Sequence, residues 1–258
     1  MTSTDGLNVT RADGLDSGGL DIVQRLLADK PHFHLGGEAR WDALPGTLEA
    51  VRDAVRDGDT TLEVGVGVST VVFAACGASH TAISPDPSEH ERVRAYCRQI
   101  GVDDSRLSFA VGLSDDVLPA LLSRERTLDV ALIDGAHSFP FPVLDWYYVT
   151  RSLKVGGKLL MDDIPVPVVT QVFRHMRLEP NWRLDRICDN RAAALTMLAL
   201  PRADDEWFDQ PFNRGYPDFS FVGLPQRLRL RSAFRFSQFR QAVGNQFPGL
   251  KRMYKRMV

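Results

Sequence analysis

The run Glu63-Val64-Gly65-Val66-Gly67-Val68-Ser69-Thr70 sets a carboxylate two residues ahead of a Gly-x-Gly bend. Glycines at 65 and 67 let a backbone turn sharply and approach a ligand closely. Ser69 is placed to cap a following helix, and Glu63 can pair with a cationic ligand group. Asp86, in Ser84-Pro85-Asp86-Pro87, can accept both hydroxyls of a ribose. Gly112-Leu113-Ser114 offers polar groups for the rim of an adenine pocket. Asp134-Gly135-Ala136-His137 and the pair Asp162-Asp163 add three carboxylates and an imidazole. Three converging carboxylates repel unless some stay protonated. A divalent cation removes that conflict, and all-oxygen ligation suits Mg²⁺, Ca²⁺ or Mn²⁺ rather than zinc. His137 lies near the same crevice and can take a proton at neutral pH, since an imidazole titrates near ~6.5. Plainer readings stay open beside these. They are a tight turn for Gly65 and Gly67, an N-cap for Asp86 or Asp163, and a hydrogen-bonded structural role for His137.

These residues work together only if the chain brings them to one edge. Apolar periodicity predicts helices over 20–30, 44–57, 69–76, 89–100, 115–123, 141–153 and 168–177. Strands are expected over 61–66, 80–84, 107–111, 128–133, 158–161, 182–188 and 192–199, with Gly156-Gly157 as the turn after a helix. Repeated strand–helix alternation implies a parallel sheet covered on both faces. The last two strands have only a turn at Asp189-Asn190 between them, too short for a parallel crossover, so that pair is antiparallel. The expected fold is α/β: a doubly wound, mostly parallel seven-stranded sheet with a C-terminal antiparallel hairpin. In such sheets ligands bind beyond the carboxyl ends of the strands, where every motif above stands.

Composition narrows the class. The chain has 258 residues, 44% hydrophobic and 25% charged, which excludes wholesale disorder. Its three cysteines, Cys76, Cys97 and Cys188, form no C-x-x-C pair and read as reduced thiols, so a cytoplasmic address is expected. There is no apolar run of membrane-spanning length, and Met1–Gly19 is polar and acidic rather than signal-like. The formal net charge of −2 hides an asymmetry: residues 225–258 carry nine Lys and Arg and no Asp or Glu. Phe234, Phe236, Phe239 and Phe247 are interleaved there. Such a tail suits an arm that packs on an acidic body or a second subunit in a homodimer. The alternatives are nucleic acid or an acidic membrane surface. Arg227-Leu228-Arg229-Leu230-Arg231 reads as an exposed strand or an arm crossing to another subunit.

The stretch Glu63–Thr70, with Asp86, Asp134–His137 and Gly156-Gly157 followed by Asp162-Asp163, resembles the class I S-adenosylmethionine-dependent methyltransferases. It is most similar to the small-molecule O-methyltransferases whose fourth strand ends in D-G-x-H and fifth in D-D. These are the macrolide and macrocin sugar enzymes of secondary metabolism and the catechol-type enzymes. The resemblance covers residues 44–200 and implies a Rossmann-like methyltransferase fold. It implies that Glu63, Gly65, Gly67 and Ser69 face the methionine part of S-adenosylmethionine and Asp86 holds the ribose. Gly112, Leu113 and Ser114 would flank the adenine. Asp134 would stand in the catalytic site and on the cofactor side, and Asp134, Asp162 and Asp163 would ligate Mg²⁺. His137 would be the general base. Catechol-type enzymes carry asparagine where Asp163 stands and a lysine base with no counterpart here, which favours the sugar-type subgroup.

The expected organisation is an N-terminal extension over 1–43, a methyltransferase domain over 44–200 and a basic, aromatic extension over 201–258. A small-molecule acceptor would be met by the loop 31–45, segments 138–142 and 164–167 and the chain from Asp204 onward. Phe139, Phe141, Trp146, Trp207 and Phe208 are candidate apolar walls. Competing readings are a metal-independent methyltransferase, an RNA methyltransferase using the basic tail, and a non-catalytic cofactor-binding protein. The RNA reading lacks an N/D-P-P-Y signature; Asp162-Asp163-Ile164-Pro165 stands in its place. A nicotinamide enzyme is disfavoured because Thr70 replaces the third glycine of G-x-G-x-x-G.

Overall fold

The computed structural model describes residues 21–34, 43–122, 125–200, 210–214 and 218–246. The readings placed on Met1–Gly19, Gly36, Gly37, Trp41, Trp207, Phe208 and the tail from Phe247 fall outside these residues. The chain divides into two units, 1–200 and 201–258. The first alternates as expected: α1 (Ile22–Asp29), α2 (Pro45–Ala54), β1 (Thr60–Val64), α3 (Val68–Ala75), β2 (Ser79–Ser84), α4 (Pro87–Ile100), β3 (Leu107–Val111), α5 (Ser114–Leu121), β4 (Leu128–Ile133), α6 (Phe141–Ser152), β5 (Leu153–Met161), α7 (Pro167–Leu178), β6 (Trp182–Cys188) and β7 (Ala192–Met197). The seven strands lie in the order β3-β2-β1-β4-β5-β7-β6. The first five are parallel, and β7 runs antiparallel to both β5 and β6. The turn at Asp189 and Asn190 takes left-handed φ values of 51° and 55°, which Asp and Asn tolerate better than most residues.

Two-residue periodicity sorts the core into two layers. On one face Val130, Leu132 and Leu160 pack with Val51, Val71, Val72, Phe73 and Val93 of α2, α3 and α4. On the other, Leu62, Val64, Ala131, Ile133 and Met161 pack with Leu118, Val149, Val169 and Met176 of α5, α6 and α7. β4 is apolar at five of six positions because both its faces are covered. The exception, Asp129, accepts from Thr60 N at 3.0 Å and Lys154 Nζ at 2.7 Å at the edge opposite the site.

Two local expectations differ from the fold. Gly156 and Gly157 do not end a helix; they lie inside β5, where its pairing with β4 shifts register. Gly157 must lack a side chain, because a Cβ there would stand 2.9 Å from the Lys154 carbonyl oxygen. Arg227–Arg231 is not extended: in the second unit Leu224–Gln246 is a helix, α8, with Leu228, Phe236 and Phe239 exposed. No helix among the described residues is long and apolar enough to cross a membrane.

Asp145 of α6 is fully buried where α6 meets α5. Burial pushes its carboxyl up to about 6, against a smaller opposing pull from Ser114. Between pH ~4 and ~6 the folded state then holds a proton that the unfolded chain releases, so folding stability falls as pH rises through that window. Asp145→Asn removes the ionisation. The variant is expected to gain about 2–3 kcal/mol over the native chain at pH 8 and little near pH 4, measured by urea unfolding at both pH values. An equal difference at the two would exclude the buried charge as its origin.

Candidate active site

One cleft of about 490 Å³ opens beyond the carboxyl ends of the parallel strands, lined among others by Glu63, Gly65, Gly67, Ser69, Ser84, Gly112, Leu113, Ser114, Asp134 and His137. Adjacent pairing of β1 with β4 brings Glu63 and Asp134 together there. Glu63 lies on the sheet face covered by α3 and is 1% exposed. Its carboxylate accepts from the Ser69 hydroxyl and, at 2.7 Å, from Thr70 Oγ1, with His80 Nε2 3.4 Å away. Thr70 Oγ1 in turn accepts from Gly67 N at 3.0 Å. The acid therefore ties the glycine bend to the first turn of α3. Ser69 does not cap that helix as expected. It is the second helical residue, and its hydroxyl is spent on Glu63.

Gly65 has φ 119°, and a Cβ there would stand 2.4 Å from the carbonyl oxygen of Asp134. Its glycine is demanded by the neighbouring strand end as well as by any ligand. Gly67 is extended, φ 179°, and a Cβ there would stand an ordinary 3.7 Å from His34 Nε2. His34 reaches this point because Phe33 is buried and meets Tyr96 edge-on at 5.7 Å.

Asp86 lies outside the cleft lining. Its carboxylate caps α4, accepting from Ser88 N at 2.8 Å and Ser88 Oγ at 2.7 Å, with Arg92 3.6 Å away. Asp86 takes the N-cap position, with Pro87 starting the helix directly after it. The acid in the cleft at this strand end is Glu89, one turn into α4. It accepts from the Ser84 hydroxyl and stands 2.7 Å from His34 Nδ1. Helical geometry was the signal for it: residue 89 is three past the cap and faces back over the helix N-terminus.

At the ends of β4 and β5 three acids converge with His137. Burial, reinforced by Asp162 and Glu63, holds the Asp134 carboxyl well above the usual carboxylate range. Asp162 is 1% exposed, and Asp163 adopts a left-handed φ of 52°. Arg191 joins them, a residue that the motifs did not single out. Its Nη2 lies 3.0 Å from Asp162 Oδ2 and its Nε 2.7 Å from Asp163 Oδ1. The remaining Asp163 oxygen stands 3.2 Å from His137 Nδ1. His137 Nε2 is buried with no hydrogen-bond partner among the described residues. Strand register contained the signal for Arg191. Met161 pairs with Ala193 across the antiparallel β5–β7 ladder, and two more residues along each chain bring Asp163 opposite Arg191.

This set does not fit a divalent cation. Mg²⁺ requires ionised oxygens free on one side. Two of the three expected ligands, Asp162 and Asp163, already face a guanidinium, and burial beside other acids holds the third, Asp134, well above the usual carboxylate range. Among the described residues no three His, Cys, Asp or Glu side chains are disposed to hold a metal ion. Of the candidate apolar walls, Phe141 lines the cleft, Phe139 is 79% exposed, and Trp146 packs edge-on against His175 in the core.

A doubly wound sheet with a glycine-floored cleft beyond the carboxyl ends of its strands has its cleft where such sheets bind ligands. Residues 62–164 match the family model of a methyltransferase domain. Solved structures share the fold. A protein from Corynebacterium glutamicum is 16% identical, covering 73% of this chain and 94% of its own, with a TM-score of 0.55. A putative O-methyltransferase from Klebsiella pneumoniae is 18% identical over 70% and 91%, with a TM-score of 0.53. An O-methyltransferase from Bacillus cereus in complex with SAH is 14% identical over 68% and 88%, with a TM-score of 0.52. No curated protein matches the chain. Over residues 62–164 the chain is thus similar to a methyltransferase domain, and its sheet has the fold of these solved structures.

Thr70→Val keeps the shape of Thr70 but leaves the buried Glu63 carboxylate and Gly67 N each one bond short. A buried polar group without its partner costs about 1–3 kcal/mol. Chemical denaturation should show a loss of that size, whereas unchanged stability would mean that the Glu63 carboxylate does not depend on that bond.

Proposed function

We propose that the protein transfers a methyl group from S-adenosylmethionine to a hydroxyl of a small molecule, with His137 as general base and without a divalent cation. One observation carries this reading: His137 lines the same cleft as the glycine bend, with Nδ1 against the Asp163 carboxylate and Nε2 left without a partner.

The cleft suits the cofactor. Its volume of about 490 Å³ lies within the ~300–1,000 Å³ of small-molecule sites, and Gly65 carries no side chain into its floor. When bound, the cofactor supplies a methyl group already activated on a sulfonium. Glu63, Gly65, Gly67 and Ser69 would form the wall on its methionine side, with the negative charge of Glu63 suited to a nearby cation. Glu89, rather than Asp86, would accept the ribose hydroxyls, and Gly112, Leu113 and Ser114 would border the adenine. The protein's main task is then alignment, which can supply ~7–11 kcal/mol of a two-reactant barrier. A hydroxyl is a poor nucleophile while protonated. Asp163 keeps the His137 Nδ1 proton in place, which leaves the lone pair on Nε2 to take the acceptor proton.

His137→Ala should lower turnover by roughly 10²–10⁴-fold while leaving S-adenosylhomocysteine affinity by calorimetry within a factor of a few. Retained turnover on the true acceptor would remove His137 as the base. Glu89→Gln should weaken S-adenosylhomocysteine binding by roughly 10-fold or more, the worth of a charged hydrogen bond, and Asp86→Asn should leave it nearly unchanged. The reverse order would return the ribose contact to Asp86.

A further inference from the structure

Arg191 stands where the carboxylate pattern calls for a cation. We propose that Arg191 is the resident cation of this site, neutralising Asp162 and Asp163 in place of a divalent ion and holding Asp163 against His137. The inference rests on the methyltransferase reading for its kinetic consequence, but not for its charge balance.

Three features make the arginine part of the site's construction. First, the guanidinium is shared: Nη2 lies 3.0 Å from Asp162 Oδ2 and donates to Asp163 Oδ2 at 3.4 Å, while Nε lies 2.7 Å from Asp163 Oδ1. A planar fork can serve two carboxylates at once in a way a lysine ammonium cannot. Second, the backbone that presents both partners is interlocked. Ile164 N donates to the Arg191 carbonyl oxygen at 2.8 Å, and Val166 N donates to the Asp163 carbonyl oxygen at 2.9 Å. Asp163 is held in a left-handed conformation, φ 52°, between them. Aspartate tolerates such a conformation better than most residues, and these two backbone bonds flank it. Third, the turn that carries Arg191 is pinned from outside. Asp189 Oδ2 accepts from Gly46 N at 2.7 Å in the first turn of α2, and Arg186 Nη2 donates to the Gly46 carbonyl oxygen at 2.9 Å. A carboxylate at a helix N-terminus is favoured by the exposed N–H groups there. A Cβ on Gly46 would lie 2.7 Å from Asp189 Oδ2 and would push that carboxylate aside. These contacts fix where the hairpin turn presents the Arg191 backbone beside the carboxylate pair.

Arg191 is a positioning residue: it acts on the acceptor through Asp163 and His137. Mn²⁺ binding to the full chain, followed by electron paramagnetic resonance, tests the charge balance independently of any acceptor. The native chain and Arg191→Lys should take up no Mn²⁺ at this site. Arg191→Met, which keeps most of the aliphatic stem, should bind Mn²⁺, and a further Asp163→Asn change should abolish that uptake. In parallel, Arg191→Met should lower kcat roughly 10–100-fold, the usual cost of losing an orienting partner, with S-adenosylhomocysteine affinity retained. Added guanidinium ion should restore part of the turnover of Arg191→Ala, which a merely structural role would not allow. Mn²⁺ uptake by the native chain that disappears in Asp163→Asn would overturn the proposal. So would an Arg191→Met protein, folded by circular dichroism, that binds no Mn²⁺. Failure of methyl transfer with every acceptor would instead strike the enzymatic reading and leave the Mn²⁺ result standing.

Discussion

Several carboxylates share one crevice, and a carboxylate removed from water must be paired, hydrogen-bonded or protonated. That requirement organises the site. Glu63 is satisfied by the hydroxyls of Ser69 and Thr70. Glu89 is satisfied by Ser84 and the imidazole of His34. Asp134, with burial and two acidic neighbours against it, has its carboxyl held well above the usual carboxylate range. Asp162 and Asp163 are met by a guanidinium brought in by a hairpin turn. Each solution recruits a different element, so the conformations of the glycine bend, the first turns of α3 and α4 and the β6–β7 turn are all bound to the charge balance of the cleft.

The two-layer core makes this possible. β1 and β4 are central strands whose side chains alternate between two helical layers, so residues at their carboxyl ends have little freedom of placement. Glu63 falls on the α3 side because Leu62 and Val64 are committed to the other. The α3 hydroxyls are consequently its nearest donors. On the far side of the site the clamp between Asp189 and Gly46 joins the antiparallel hairpin to the start of α2. The parallel and antiparallel parts of the sheet are thus fixed relative to each other where they meet at the cleft.

The chain ahead of α2 takes part as well. Phe33 is anchored beside Tyr96, and its carbonyl oxygen accepts from Arg92 Nε. With that anchor set, His34 stands over the glycine bend and pairs with Glu89. A segment that periodicity alone marks as loop thereby contributes a side chain to the cleft wall.

Local pattern determined the element order, the antiparallel hairpin and its Asp-Asn turn, and the gathering of Glu63, Gly65, Gly67, Gly112 to Ser114, Asp134 and His137 at one edge. Those properties follow from periodicity and turn chemistry, which act over a few residues. Partner choice was decided only in three dimensions. Asp86 caps its own helix while Glu89 enters the cleft, because a helix start competes for the nearest carboxylate. Ser69 serves Glu63 rather than a backbone N–H, because the strand beneath presents a buried acid. Arg191, far along the chain from Asp134, meets Asp162 and Asp163 through sheet register alone. Which cation a cluster of acids receives is therefore a question of strand neighbours, and that information lies in the pairing of β5 with β7 rather than in any motif.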